Sequence, residues 1–268
     1  AEMDSSSRHP PPKCHPATRQ ALRERVITWF ANVDGALKIF WILGPRGIGK
    51  SAIAQTIAEY YHDLDQLGAA FFFSNHASNS LQVIPTLVYQ LVIRFPDYKR
   101  IIIQILNNDS TIFERNLRSQ FKSLIVKPFT MLQTQNSACV QQPILFILDG
   151  LDECQPEVAR CELIELIDQS SLSSHTRAFR WLIFSRPDPS IQRLASRSNP
   201  RHECEELRMD DADARHDVSC MLQDGFASIR QQYSDVLDET WPPEAQLRRL
   251  ADGAGGSFPF ASTALELV

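Results

Sequence analysis

Eight consecutive residues, Gly44 to Ser51, read G-P-R-G-I-G-K-S. They follow KIFWIL at 38–43, an apolar run whose aromatic and β-branched content predicts a buried strand. They precede 52–61, where the pattern predicts a helix. Strand, glycine-rich turn, helix is the context in which G-x-x-x-x-G-K-[ST] cradles phosphate. Gly44, Gly47 and Gly49 let the backbone curl with its N–H groups inward. Pro45, Arg46 and Ile48 fill the rest of the loop. The helix opening through Ala52 adds its positive N-terminal field. Lys50 is expected to reach the β- and γ-phosphates, and the Ser51 hydroxyl to ligate Mg²⁺. A chance turn carrying Lys-Ser is the alternative, and the flanking strand and helix argue against it.

A second signal lies about 100 residues on, at 144–153, where ILFILD is followed by Gly150, Leu151, Asp152 and Glu153. An apolar strand ending in aspartate delivers a carboxylate to the C-terminal edge of a sheet, where doubly wound folds bind their ligands. Asp149 is the expected acidic partner of Mg²⁺. Glu153 or Asp152 is the candidate to orient an attacking water. The third signal is FRWLIFS at 179–185, a strand that ends at Arg186. An arginine at a strand tip can reach a γ-phosphate. Without context it is equally a solvated loop arginine.

Strands are expected at 38–43, 69–73, 144–148 and 179–185, with a last one near 203–207. Helical patterns occupy 17–31, 52–61, 81–95, 97–106, 116–134 and 157–170. Nearly apolar strands alternating with helices predict an α/β fold with a parallel sheet covered on both faces. Beyond 207 the segments 211–228, 243–252 and 258–268 all read as helices. The expected organisation is a linker at 1–16, a nucleotide-binding domain at 17–207 and a helical subdomain at 208–268. The chain is expected to be a piece of a larger protein, because it opens at Ala1 on a Ser- and Pro-rich segment and closes inside an amphipathic run.

The balance of 27 basic and 32 acidic residues, net −5, excludes a general nucleic-acid coat, which needs a basic footprint. No apolar run approaches the 18 residues of a membrane span, and no secretory h-region is visible. The six cysteines form no CxxC pair and are expected as free thiols in a reducing compartment. The seven histidines lack metal-ligand spacing.

The order of GPRGIGKSAIAQTIAE, FFFS, LVYQL, ILFILDGLDEC and FSRPDP resembles the NACHT domains of STAND-class signalling ATPases, especially those of multidomain fungal, NLR-like proteins. The resemblance covers the chain from about Cys14 to Ala264. It implies a P-loop NTPase fold of three α/β/α layers, with a five-stranded sheet in the order 5-1-4-3-2. That order sets the Arg186 strand between those feeding the phosphate loop and Asp149, as a γ-phosphate sensor. It also implies ATP/ADP and Mg²⁺ as ligands, slow hydrolysis, self-association of the whole protein, a cytoplasmic location and a role in signal transduction and innate immunity. Two positions depart from the pattern. Asn75 follows Ser74 where fungal relatives carry arginine. The G-x-P segment that closes over adenine is matched only by Ser257-Phe258-Pro259, which makes Pro259 the candidate adenine contact. Rival readings are an ADP-locked scaffold without turnover, a P-loop phosphotransferase and an AAA+-type motor. No acceptor lid or basic appendage supports the last two.

Overall fold

The structure is a computed structural model that describes residues 2–5, 8–33, 35–73, 80–195, 202–238 and 240–268, the side chains of 194 and 195 excepted. The Ser74 and Asn75 positions lie outside the described residues. Five strands form one parallel sheet: β1 (Ile39–Leu43), β2 (Leu67–Phe72), β3 (Ile144–Asp149), β4 (Phe179–Ser185) and β5 (His202–Glu206). Their order, β2-β3-β4-β1-β5, is the expected 5-1-4-3-2 viewed from the other end. Strands β1 to β4 are buried along their whole length. Both faces of each strand meet helices, so their sequences carry no polar alternation. Edge strand β5 (HECEE) is only half-buried.

Alternate side chains go to opposite layers. Phe40, Ile42, Leu145, Ile147, Leu182 and Phe184 pack with α1 (Gln20–Ala31) and α2 (Lys50–Asp63). Trp41, Leu43, Phe146, Leu148, Trp181 and Ile183 face the other way. There they meet α3 (Val83–Arg94), α4 (Pro96–Asn108), α5 (Leu117–Gln120), α6 (Lys127–Thr134) and α7 (Glu157–Leu172). Phe146 and Trp181 stack at 4.5 Å within that layer. At the β2 margin the side-chain amide of Gln90, on α3, accepts from the Ala70 N–H and donates to the Ala70 carbonyl, both at 2.9 Å.

The helix expected over 116–134 contains a π-helical stretch, Phe121–Val126, between α5 and α6. Pro128 has no N–H for the carbonyl of Leu124 four residues back. The hydroxyl of buried Tyr98 donates to that carbonyl at 2.5 Å. A short helix not foreseen from the sequence, α8 (Pro189–Ala195), follows the β4 loop.

After β5 come α9 (Ala212–Gln232), α10 (Glu244–Ala254) and α11 (Phe258–Glu266). They share a small apolar cluster of Val218, Leu222, Phe226, Ala254 and Ala261. The segment before α1, expected as a linker, lies along α2. Arg8 sits over the Phe72 ring at 3.4 Å and donates to Gln55 Oε1 at 2.7 Å. The Cys14 N–H donates to Thr56 Oγ1 at 3.1 Å, and Lys13 pairs with Glu59 at 2.9 Å. Helix α2 is long enough to expose a polar stripe, and that stripe supplies the partners. Among the described residues no helix is long and apolar enough to cross a membrane.

Candidate functional site

A cleft of about 680 Å³ opens between the C-terminal edge of the sheet, the N-terminal segment and the start of α11. The phosphate loop forms its floor. Its backbone turns through Gly47 (φ 86°) and Gly49 (φ 90°), a left-handed conformation that a side chain would resist. The space around them is also close. A Cβ on Gly49 would come within 3.3 Å of the Phe258 ring, and one on Gly47 within 3.4 Å of Pro259 and Met209.

The loop carbonyls are already engaged by groups around the cleft. Lys50 Nζ donates to those of Gly44 (2.7 Å) and Pro45 (2.8 Å). The Phe258 N–H donates to that of Gly47 (3.1 Å), and Arg19 Nη2 to that of Ile48 (3.1 Å). With these acceptors taken, the loop offers the cleft N–H groups at the start of α2, a surface suited to an anion. Burial lowers the Lys50 pKa, and the Asp152 and Asp149 charges work against that.

Asp149 ends β3 directly across from the loop. It is 4% exposed, takes a hydrogen bond from Ser51, and its Oδ1 has no partner in the structure. Burial lifts its pKa to about 6, against the pull of Ser51, Arg8 and Lys50. Gly150 (φ 76°) then turns the chain into a 3₁₀ segment, Leu151–Glu153.

The two acids of that turn differ. Asp152 accepts from the Arg186 backbone N–H (2.8 Å), from Arg186 Nε (2.5 Å) and from the Ser185 hydroxyl (3.2 Å). Burial works to raise the Asp152 pKa, but the Arg186 and Ser185 contacts outweigh it and hold the carboxylate below its usual range. Glu153 has a raised pKa, through burial and then the neighbouring Asp152 charge. Arg160, buried on α7, donates to the Asp152 carbonyl at 2.9 Å and fixes the turn from behind.

Arg46, Gly47, Gly49, Lys50, Ser51, Ala52, Asp149, Asp152, Glu153, Arg186 and Pro259 all line the one cleft. Ile48 does not; it is fully buried in the α1–α2 layer. Arg186 is half-exposed and tied to Asp152, not extended into the cleft as a free cation. Cys14, His15, Thr18, Arg19, Met221 and Phe258 line the cleft as well. Sequence analysis assigned none of them a site role of its own. Arg19, expected inside the helix at 17–31, carried no signal of its own, and Phe258 only its place beside Pro259. The others carried none, because what brings them to the site is the fold of the N-terminal segment and α11.

The residues fit a magnesium-bound nucleotide. Mg²⁺ takes oxygen donors, commonly one or two from the protein with the rest from phosphate and water. Ser51 and Asp149 are such a pair, and Asp149 has a buried oxygen to spare. Among the described residues no group of three or more His, Cys, Asp or Glu could hold a metal by itself.

A parallel sheet in this order, with a glycine-rich phosphate loop after its first strand and an acid closing its third, defines a P-loop NTPase fold. Within that class the chain belongs to the nephrocystin 3 N-terminal family, whose family model matches residues 19–186. No curated protein sequence matches the chain. Among solved structures, the Walker-type ATPase PABY2304 of Pyrococcus abyssi is similar over 91% of this chain and 67% of its own, with TM-score 0.53 and 13% identity. Caenorhabditis elegans PCH-2 gives TM-score 0.49 at 12% identity, over 92% of this chain and 61% of that one. Cdc6p from Pyrobaculum aerophilum gives 0.48 at 16%, over 80% and 50%. The likeness to the Pyrococcus protein is one of fold.

Proposed function

We propose that this chain is the nucleotide-binding unit of a molecular switch, which binds Mg-ATP and ADP, hydrolyses ATP slowly and so controls self-association of a larger signalling protein. One observation carries it: the phosphate loop, its carbonyls already hydrogen-bonded, faces a buried aspartate with an unpartnered oxygen across a cleft of nucleotide size. Bound Mg²⁺ would offset the charge of the phosphates. Lys50 and the loop N–H groups bind the phosphates. Ser51 and Asp149 hold the cation. Glu153 orients water, since Asp152 is committed to Arg186; Arg186, anchored by Asp152, faces the γ-phosphate. Residues 17–207 serve as the catalytic body and 208–268 as a lid that meets adenine near Pro259. The order of motifs supports placement among NACHT domains of STAND-class, NLR-like proteins of fungal type, with a role in innate immunity. Six unpaired cysteines support a reducing, cytoplasmic setting.

Isothermal calorimetry tests the site. ATP and ADP should bind in the presence of Mg²⁺. Lys50→Ala should weaken both by ~2 kcal/mol, about 30-fold in Kd, as expected for a lost charge-assisted contact. Unchanged affinity would remove residues 44–51 as the phosphate loop. A phosphate-release assay then separates the switch from a scaffold that holds ADP without turnover.

A further inference from the structure

Arg19 is 8% exposed and sits at the N-terminus of α1 with φ 55°, a left-handed conformation costly for a bulky side chain. Such a residue persists only where its surroundings over-determine it. Three parts of the fold do so. Its backbone N–H donates to Asp217 Oδ2 at 3.1 Å, and its Nε lies 3.5 Å from the same oxygen. Its Nη2 donates to the Ile48 carbonyl at 3.1 Å. Its guanidinium lies 5.5 Å from the centre of the Phe258 ring. Asp217 is on α9, 198 residues along the chain, and is itself 7% exposed. Two turns further along α9, Asp224 pairs with His15 at 3.3 Å. The segment before α1 is thus clasped to α9 at two points on one helical face.

A planar guanidinium can satisfy two acceptors at fixed relative positions; an ammonium on a flexible stem cannot lock them together. The Ile48 carbonyl, bonded to Nη2, and the Asp217 carboxylate, bonded to the Arg19 backbone N–H and facing Nε at 3.5 Å, are thus joined through one buried residue. Moving α9 outward would strip the carboxylate from a largely buried charge, or draw Arg19 off the phosphate loop. We propose that Arg19 is a positioning residue that couples the helical subdomain to the phosphate loop, so that the posture of α9 is transmitted through Asp217 and Arg19 to the backbone that binds the nucleotide. The coupling deepens the switch function above and rests on it for the identity of the ligand. It names the path by which opening of the lid would loosen the phosphates.

The test uses the 268-residue chain with Asp217→Asn, which keeps the shape and removes the charge. Two quantities are read: amide hydrogen exchange in the peptide 44–52 without nucleotide, and stopped-flow release of a fluorescent ADP analogue. Both should accelerate about tenfold. Arg19→Lys should do the same, and the double variant should be no faster than either single one, because both remove one linkage. Asp217→Glu, which restores the carboxylate, should return both rates to within about twofold of the parent. Should Asp217→Asn not fold, as judged by circular dichroism, Arg19→Lys gives the same two readouts. Exchange at 44–52 unchanged in the folded variants overturns the coupling, as do effects that multiply in the double variant. Faster ADP release from Arg19→Lys with none from Asp217→Asn would make Arg19 a direct ligand contact and also overturn it. A parental protein that binds no ADP analogue would defeat the nucleotide function alone, and the exchange data would still decide the coupling.

Discussion

Asp149 is the most costly side chain in the site. Its pKa of about 6 against an ordinary 3.8 means that the folded protein holds the proton more tightly than the unfolded chain. Below pH ~4 the carboxyl is protonated in both states and adds nothing. Between pH ~4 and ~6 stability falls as pH rises, and above that the full difference, about 3 kcal/mol, stands against folding. Asp149→Asn should therefore stabilise the nucleotide-free protein by about 2–3 kcal/mol at pH 7 in metal-free buffer, and leave it unchanged near pH 4. Urea unfolding at the two pH values checks this; equal gains at both would mean that burial of the charge is not the cause. The same variant should weaken Mg²⁺-dependent nucleotide binding. At the neighbouring turn, Glu153→Gln should retain Mg-ATP and lose most hydrolysis. Asp152→Asn should instead loosen Arg186, leaving part of the rate. If Asp152→Asn is dead in a phosphate-release assay and Glu153→Gln runs at the parental rate, the base is Asp152.

Elements were legible where one physical signal dominated. Strands β1 to β4 announced themselves as apolar runs because both sheet faces are covered. The phosphate loop did so because glycines, lysine and serine at fixed spacing sit between a strand and a helix. Less visible were features decided by distant partners. The π-helical stretch at 121–126 depends on Pro128, which the periodicity of 116–134 averages away, and on a tyrosine from another helix. Tyr98→Phe should cost about 1–2 kcal/mol, because it removes a buried bond to the Leu124 carbonyl while leaving the volume nearly unchanged. Thermal melting of the two proteins gives the number, and no loss would show that the π turn satisfies that carbonyl without Tyr98. The N-terminal segment was illegible for the opposite reason. It has no periodicity, its proline-rich composition reads as a linker, and only the exposed stripe of α2 gives it a place to lie.

Over the whole molecule, the cleft is walled by parts far apart in sequence, chiefly the sheet edge, the N-terminal segment and α11. A ligand that binds this cleft and not the unfolded chain stabilises the native state by mass action. Mg-ADP at 100 times its Kd should add about 2.7 kcal/mol. For a chain of this size that corresponds to a melting temperature raised by roughly 5–10 °C. Differential scanning fluorimetry with and without Mg²⁺ measures it. A shift under 1 °C at saturation would mean that the nucleotide does not bind the native state in preference to the unfolded chain.

The Gln90 amide on α3 has a consequence for how copies of this protein can meet. It occupies the donor and the acceptor that Ala70 turns outward from β2, so this margin offers an incoming strand no backbone partner at its midpoint. The opposite margin belongs to β5, whose Glu203 and Glu205 are bound to Arg25 and would confront an approaching chain with acid. One border is sealed by a side chain posing as a peptide group and the other is guarded by charge. Backbone pairing of one sheet with another is thereby disfavoured at both borders.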